Sequence, residues 1–81
     1  MWTESNNKLS QTFKFKNFIE AFAFMTEVAM HAETQNHHPE WSNVYHTVKI
    51  VLCTHDDGNI ITAKDKKLAK IISKVYEKYQ A

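Results

Sequence analysis

Two adjacent histidines, His37 and His38, stand directly before Pro39, the only proline of the chain. Because proline fixes its own φ and pushes the preceding residue out of the α region, we expect a preceding helix to end at or before this point. Side chains that follow one another on an extended backbone point to opposite faces, so the two imidazoles diverge from one rigid corner. An unperturbed imidazole titrates at about pH 6.5. The corner is therefore suited to moving protons near neutral pH.

Three of the five histidines, His37, His38 and His55, lie at the ends of predicted elements. Binding and catalytic groups concentrate at such positions when a rigid scaffold carries them. His55 follows a predicted strand and reaches the His37-His38 corner if the helix before the corner packs across the sheet with its C-terminal end near that strand end. The chemistry that these residues favour is general acid and base catalysis by imidazole and carboxylate groups.

Metal binding and nucleophilic catalysis have less support. A zinc site needs three or four converging ligands, whereas His37 and His38 diverge and Cys53 is the only cysteine. We therefore expect no metal and no cofactor. Cys53 lies in an apolar, β-branched run, which favours a buried core thiol over a nucleophile paired with His55. A chain with one glycine has no glycine-rich phosphate loop.

A purely structural explanation of the same residues stays open. His37 and His38 are also what the macrodipole favours at a helix C-terminus, and Trp41 is large enough to be a core residue. Asp65 fits the third position of a helical capping box, a role that is compatible with a catalytic one.

Composition and length indicate one soluble globular domain over residues 1–81, with 43% hydrophobic and 23% charged residues. A core of this size buries only about 60 to 65% of the surface of the unfolded chain, so self-association is a natural supplement. A net charge of +1 gives no support to direct nucleic-acid binding. One cysteine fits a reducing compartment, and no apolar run approaches the ~20 residues of a membrane span. We expect a cytoplasmic protein without a membrane partner.

The first half of the chain predicts a hairpin and a helix. A short strand at Trp2 to Glu4 and a longer one at Leu9 to Phe15 flank a turn-forming cluster at residues 5–7. A helix over residues 18–34 begins after Asn17 as N-cap, with Glu20 placed to complete a capping-box-like pair. The predicted apolar stripe of this helix consists of Phe18, Ala21, Phe22, Met25, Val28, Ala29 and Ala32.

The second half predicts two strands and a second helix. Residues 44–54 are dense in β-branched and aromatic residues but too many for one ordinary strand. We expect a short strand at Asn43 to Tyr45, then a reversal or kink near His46-Thr47, and a longer strand through Thr54. The sequence alone does not choose between a reversal and one bent strand.

A turn over residues 55–59 follows, with Gly58 available for a positive φ. Thr62 and Asp65 then form a capping box that begins the last helix. Its predicted apolar stripe consists of Leu68, Ile71, Ile72, Val75, Tyr76 and Tyr79. Its predicted solvent-facing side consists of Lys66, Lys67, Lys70, Lys74 and Lys78.

The order ββαββα predicts an α+β fold, in which a four-stranded antiparallel sheet carries both helices on one face. The other face and the edges of such a sheet need cover, which again favours self-association.

Several motifs at fixed spacing resemble a known family. Glu33, the His37-His38-Pro39 corner, Tyr45, His55 and Asp65 are similar to the signature of the pterin-4a-carbinolamine dehydratases, also called 4a-hydroxytetrahydrobiopterin dehydratases. Animal members of that family double as the dimerisation cofactor of a homeodomain transcription factor. The likeness covers nearly the whole chain from Trp2 and extends through residues 13–16, 21–26, 37–41, 43–45 and 54–55.

The resemblance implies an enzyme that removes water from the 4a-carbinolamine of a tetrahydropterin and yields quinonoid dihydropterin. This step belongs to tetrahydrobiopterin recycling after aromatic amino acid hydroxylation, and it needs no metal or redox cofactor. The resemblance makes His37, His38 and His55 the catalytic and substrate-contacting set, without saying which one is acid and which is base. The residues that it places around the pterin or behind an imidazole are Glu33, Pro39, Trp41, Thr54, Asp56, Asp57 and Asp65.

The resemblance also implies a homodimer or homotetramer, and it leaves open a transcription factor as a second partner and a nuclear pool beside the cytoplasmic one. The competing hypothesis is an oligomeric protein-binding module that keeps the fold and acts as a coactivator. The intact histidine trio argues against a pure binder, because a scaffold needs none of the three. His31, four residues after Glu27 on the first helix, is expected to be a surface or subunit-contact residue.

Overall fold

The computed structural model describes residues 2–80, so Met1 and Ala81, the end residues of the expected domain, lie outside the described residues. Strands β1 (Thr3–Ser5) and β2 (Lys8–Lys14) form an antiparallel hairpin. Asn6 and Asn7 form its two-residue turn with φ of 53° and 61°, which asparagine tolerates better than most residues and which matches the twist of the strands. The predicted hairpin is confirmed, with each strand shifted by one residue.

Helix α1 spans Phe18–Thr34, as predicted. The Asn17 side chain accepts the backbone N–H of Glu20 at 2.9 Å. The Glu20 carboxylate accepts from Lys16 at 3.4 Å, so the capping box is only half formed. At the other end Asn36 adopts a φ of 51°, and His37 N–H donates to the Ala32 carbonyl at 3.0 Å. A left-handed residue therefore ends the helix before Pro39 is reached.

The buried face of α1 differs from the predicted stripe. Phe18 and Phe22 were predicted to be buried but are 46% and 56% exposed, whereas Phe24, absent from that stripe, is fully buried. The Phe24 ring lies 5.1 Å from the ring of Phe13 in β2. The helix begins with apolar residues on all sides, so spacing alone allows two overlapping stripes. Contact with the sheet selects the one that contains Ala21, Phe24, Val28 and Ala32.

Strands β3 (Glu40–Val44) and β4 (Thr47–Leu52) form a second hairpin. The open choice is thus resolved in favour of a reversal, which lies at Tyr45 and His46 instead of His46-Thr47. β3 begins three residues earlier than expected, because Pro39 already favours an extended backbone. The Asn43 side-chain amide donates to the carbonyls of Tyr45 at 3.2 Å and Thr47 at 2.9 Å, which stabilises a turn that has no glycine.

The sheet has the order β1-β2-β4-β3 and is antiparallel throughout. Helix α2 spans Ala63–Tyr76 and begins with the predicted Thr62–Asp65 capping box. A single cluster of buried residues joins one face of the sheet to both helices, which confirms the predicted α+β fold with the order ββαββα. The lysines on the predicted solvent-facing side of α2 are all exposed. Among residues 2–80, none of the helices has the length and apolar character that crossing a bilayer requires.

Candidate active site

One end of the sheet gathers the segments that carry the predicted site residues. The register pairs Glu40 of β3 with Val51 of β4. Residues 37–39, which lead into β3, and residues 53–55, which leave β4, therefore lie at the same end. The C-terminus of α1 and the N-terminus of α2 meet there too, because His37 contacts Asp65.

Asp65 contacts several of the segments that meet at this end of the molecule, and its side chain is fully buried. Its Oδ1 lies 2.5 Å from His37 Nε2. Its Oδ2 accepts the Thr54 hydroxyl at 2.7 Å and the backbone N–H of Thr62 at 2.8 Å. His37 and the residue immediately before His55 are thus joined through one carboxylate.

Burial by itself raises the pKa of the Asp65 carboxyl, but hydrogen bonds from His37, from the Thr62 backbone and from Thr54 outweigh it and bring the pKa below its ordinary value. Asp65 is therefore ionised at neutral pH and can only accept hydrogen bonds. It follows that His37 Nε2 carries a proton and donates it to Oδ1.

The second ring nitrogen of His37, Nδ1, makes no hydrogen bond within residues 2–80. Every fully buried side-chain nitrogen or oxygen in that range has a hydrogen-bond partner, so Nδ1 is not fully buried. The side chain as a whole is only 10% exposed. His37 is thus held by Asp65 through Nε2, while its Nδ1 has no partner within residues 2–80.

His38 is placed differently, as expected for neighbours on an extended backbone. Its Nε2 lies 2.8 Å from Glu33 Oε1, and both side chains are mostly exposed. Glu33 lies in the last turn of α1, so this pair bridges the helix and the corner. Pro39 is half-buried between His38 and β3.

His55 begins a short 3₁₀ turn, His55–Asp57, and is exposed. Its Nδ1 lies 2.6 Å from Asn59 Oδ1. Gly58 takes the predicted positive φ, at 86°, and Thr54 N–H donates to the Ile60 carbonyl at 2.8 Å, which closes the turn. Asp56 and Asp57 are exposed on it.

Trp41 and Thr54 both lie against the core. Trp41 is half-buried and packs against the core, and Thr54 is only 3% exposed. Two contributing residues were missed by the sequence analysis: Asn59 as the partner of His55, and the Thr62 hydroxyl, which lies 2.7 Å from the Thr54 hydroxyl. The four-residue spacing from His55 to Asn59 was the only available signal for the first.

No three or more His, Cys, Asp or Glu side chains within residues 2–80 are grouped as metal ligands would be. Cys53 is a buried free thiol, as expected.

A groove of about 550 Å³ lies between α1 and α2. His31, which lies 3.9 Å from Glu27, helps to line this groove, and none of the predicted site residues does.

Comparison with known proteins supports the resemblance. The family model described as pterin 4 alpha carbinolamine dehydratase matches residues 1–75. A protein of Prochlorococcus marinus provisionally named pterin-4-alpha-carbinolamine dehydratase is 54% identical over 72 residues, which cover 89% of this chain and 74% of the relative. A Rhizobium leguminosarum protein with the same provisional name is 55% identical over 71 residues, 88% of this chain and 69% of the relative.

Solved structures share the fold. The crystal structure of a transcriptional coactivator/pterin dehydratase from Brucella melitensis has a TM-score of 0.88 and 38% identity, and covers 93% of this chain and 81% of that one. A pterin dehydratase-like protein, identified as a RuBisCO assembly factor in the alpha-carboxysome, has a TM-score of 0.75 at 18% identity, with 94% and 87% covered. The second likeness concerns the fold alone. By sequence and by structure, the chain belongs to the pterin 4 alpha carbinolamine dehydratase family.

Proposed function

We propose that this protein dehydrates a pterin-4a-carbinolamine to the quinonoid dihydropterin, in tetrahydrobiopterin recycling, by general acid and base catalysis with His37, His38 and His55. The proposal follows from the family and is supported by one observation above all. The carboxylate of Asp65 joins His37 to Thr54, the neighbour of His55, so one side chain holds together two segments that are distant in sequence.

The reaction removes the 4a-hydroxyl group as water. A base takes the proton of the adjacent ring nitrogen, the freed electron pair forms the carbon–nitrogen double bond, and the carbon–oxygen bond breaks while an acid protonates the departing oxygen. Nothing is oxidised or reduced. The protein must supply one proton acceptor and one proton donor that both work near neutral pH, which is the ordinary range of imidazole.

His37 is the proposed base. Its Nε2–H is held by Asp65, so the neutral ring carries its lone pair on Nδ1, which has no hydrogen-bond partner within residues 2–80. A buried carboxylate behind an imidazole fixes its tautomer and stabilises the imidazolium that forms when it takes a proton. The acid is then His38 or His55, since each has one ring nitrogen held by a neighbour and the other free within residues 2–80.

The remaining residues have supporting roles in this proposal. Glu33, whose Oε1 lies 2.8 Å from His38 Nε2, orients that imidazole. Asp56 and Asp57 offer exposed carboxylates to the amine edge of the pterin. Pro39 and Trp41 form an apolar wall for the bicyclic ring. These residues bind and orient the substrate, while the three imidazoles move its protons.

The direct test is the rate of carbinolamine dehydration in His37→Ala, His38→Ala and His55→Ala variants that remain folded. General acid or base catalysis typically contributes about 10²- to 10⁴-fold, and we expect losses of this size in His37→Ala and in the variant that lacks the acid. His31→Ala is the matched control, because His31 lies on the α1–α2 groove. Near-native rates in all three site variants would remove the proposed mechanism.

A second candidate function is protein binding. It is favoured by the exposed α1 surface, which we define as Phe18, Ile19, Phe22 and Met30. Exposed apolar patches of this kind mark interaction sites. The Brucella melitensis neighbour is described as a transcriptional coactivator as well as a pterin dehydratase. Co-purification of a DNA-binding protein with the wild type, but not with Phe22→Lys, would support this function.

A further inference from the structure

Two threonine hydroxyls lie behind Asp65, on the side away from His37. The Thr54 hydroxyl is 2.7 Å from Asp65 Oδ2 and 2.7 Å from the Thr62 hydroxyl. The Thr62 hydroxyl in turn accepts the backbone N–H of Lys64 at 3.3 Å. These contacts form a continuous chain of hydrogen bonds from the first turn of α2 to the carboxylate.

The chain has only one possible direction. Each threonine has a single hydroxyl proton, and ionised Asp65 has none. Thr54 must therefore donate to Asp65 Oδ2, and Thr62 must donate to Thr54. Every proton in the chain points towards the carboxylate, which leaves Oδ1 to accept from His37 Nε2.

Thr54 is poorly placed to touch a substrate. It is 3% exposed, and its hydroxyl is already engaged on both sides. Its backbone N–H donates to Ile60 at 2.8 Å, and its carbonyl accepts from Asn59 at 3.0 Å. An effect of this side chain on the reaction would have to pass through Asp65.

We infer that Thr54 is a positioning residue whose hydroxyl, oriented by Thr62, fixes the Asp65 carboxylate so that His37 keeps its proton on Nε2 and presents a bare Nδ1. The inference rests on the proposed function and adds to it an explanation of why His37 is protonated on Nε2. The reason is geometric. Without the Thr54 hydroxyl, Oδ2 retains only the Thr62 N–H, and the carboxylate is freer to turn away from the imidazole.

The test compares Thr54→Val, which keeps the shape and removes the hydroxyl, with Thr54→Ser, which keeps the hydroxyl. The first measurement is ¹⁵N NMR of the histidine rings in the ligand-free protein, which distinguishes protonated from bare ring nitrogens. We expect His37 to be Nε2-protonated in the wild type and in Thr54→Ser, and to be a mixture of tautomers in Thr54→Val.

The second measurement is dehydration kinetics. Loss of one hydrogen bond of ordinary strength corresponds to about a tenfold loss in kcat, with KM little changed because Thr54 does not touch the substrate. Thr54→Ser should restore the rate. An unchanged His37 tautomer in Thr54→Val overturns the inference, even if stability falls, since the hydroxyl would then be structural only.

The two hypotheses fail separately. An inactive wild type whose His37 tautomer still depends on Thr54 removes the proposed function and leaves the link from Thr54 to His37 standing. An active wild type whose His37 tautomer does not depend on Thr54 removes the link from Thr54 to His37 and leaves the proposed function standing. Should Thr54→Val not fold, Thr54→Cys under reducing conditions keeps the volume with a much weaker donor, and the same tautomer shift is required of it.

Discussion

Asp65 serves two structures with one side chain. Its Oδ2 accepts the Thr62 N–H and so closes the capping box that begins α2, while its Oδ1 accepts from His37. The structural and the catalytic interpretations of Asp65 are thus compatible, because each uses a different oxygen. A residue that begins a helix is well suited to hold a catalytic group, since the helix fixes its position.

We predict that Asp65→Asn lowers the free energy of unfolding by about 1–3 kcal/mol at neutral pH, the usual cost of disrupting a buried hydrogen-bonded group. The pKa of Asp65 is lower in the folded protein than its ordinary value. Its contribution is therefore complete above the pKa of the unfolded chain and is lost as the pH falls through the folded value. Urea unfolding across pH should show the gap between wild type and variant narrowing in acid.

The control for this prediction is Asp57→Asn, on an exposed residue of the His55 turn. Its effect should stay within about 0.5 kcal/mol at every pH. A gap between Asp65→Asn and wild type that does not change between neutral and strongly acid solution would contradict the role that we give to the carboxylate charge.

At the scale of single residues, the sequence alone predicted the features whose signal is local. The His37-His38-Pro39 corner and the Thr62–Asp65 capping box are contiguous or three residues apart, so they could be identified directly. The contact of His37 with Asp65 spans 28 residues, and that of Thr54 with Asp65 spans 11. Such contacts depend on how helices and sheet pack, and only the folded structure gives them.

At the scale of elements, α1 shows which of two apolar stripes the core selects. Caps define both ends of the helix, with Asn17 at the start and left-handed Asn36 after the end. Its bounds could be predicted from sequence, because Asn17 is a typical N-cap residue and Pro39 limits how far the helix can continue. Its buried face could not, because Phe22 and Phe24 are both large and apolar. The reversal at Tyr45 was also ambiguous, since it depends on a side-chain contact from Asn43 and not on a recognisable turn sequence.

We predict that Phe24→Ala costs about 3–5 kcal/mol in the free energy of unfolding, as expected for a buried phenylalanine. Phe22→Ala should cost no more than about 0.5 kcal/mol in dilute protein, because a side chain that is 56% exposed leaves no cavity. Both values come from urea unfolding followed by circular dichroism. Equal losses in the two variants would mean that the face of α1 is assigned wrongly.

For the whole molecule, the candidate site lies where four element ends meet. The N-terminus of β3, the C-terminus of β4, the end of α1 and the start of α2 are brought together by antiparallel pairing around the central β4. Among residues 2–80, the same arrangement leaves one face of the sheet without a helix and leaves the exposed α1 surface in water. A chain of 81 residues has little core to spare, which favours covering such a surface by association.

We predict that the wild type sediments as an oligomer at micromolar concentration and that Phe22→Lys shifts it towards the monomer, because a buried lysine charge is costly at an apolar interface. Analytical ultracentrifugation over a range of concentrations measures both. Gln80→Lys, on an exposed polar residue outside α1, shows whether any added charge has this effect. A monomeric wild type at all concentrations would contradict the prediction.

In the proposed reaction, His37, His38 and His55 surround the carbon that loses its hydroxyl. A crystal structure with a bound dihydropterin analogue tests this directly. We expect His37 Nδ1 within hydrogen-bonding distance, about 2.6–3.2 Å, of the pterin ring nitrogen, and His38 or His55 on the hydroxyl side. An analogue bound in the α1–α2 groove, or anywhere out of reach of the three imidazoles, would contradict the account.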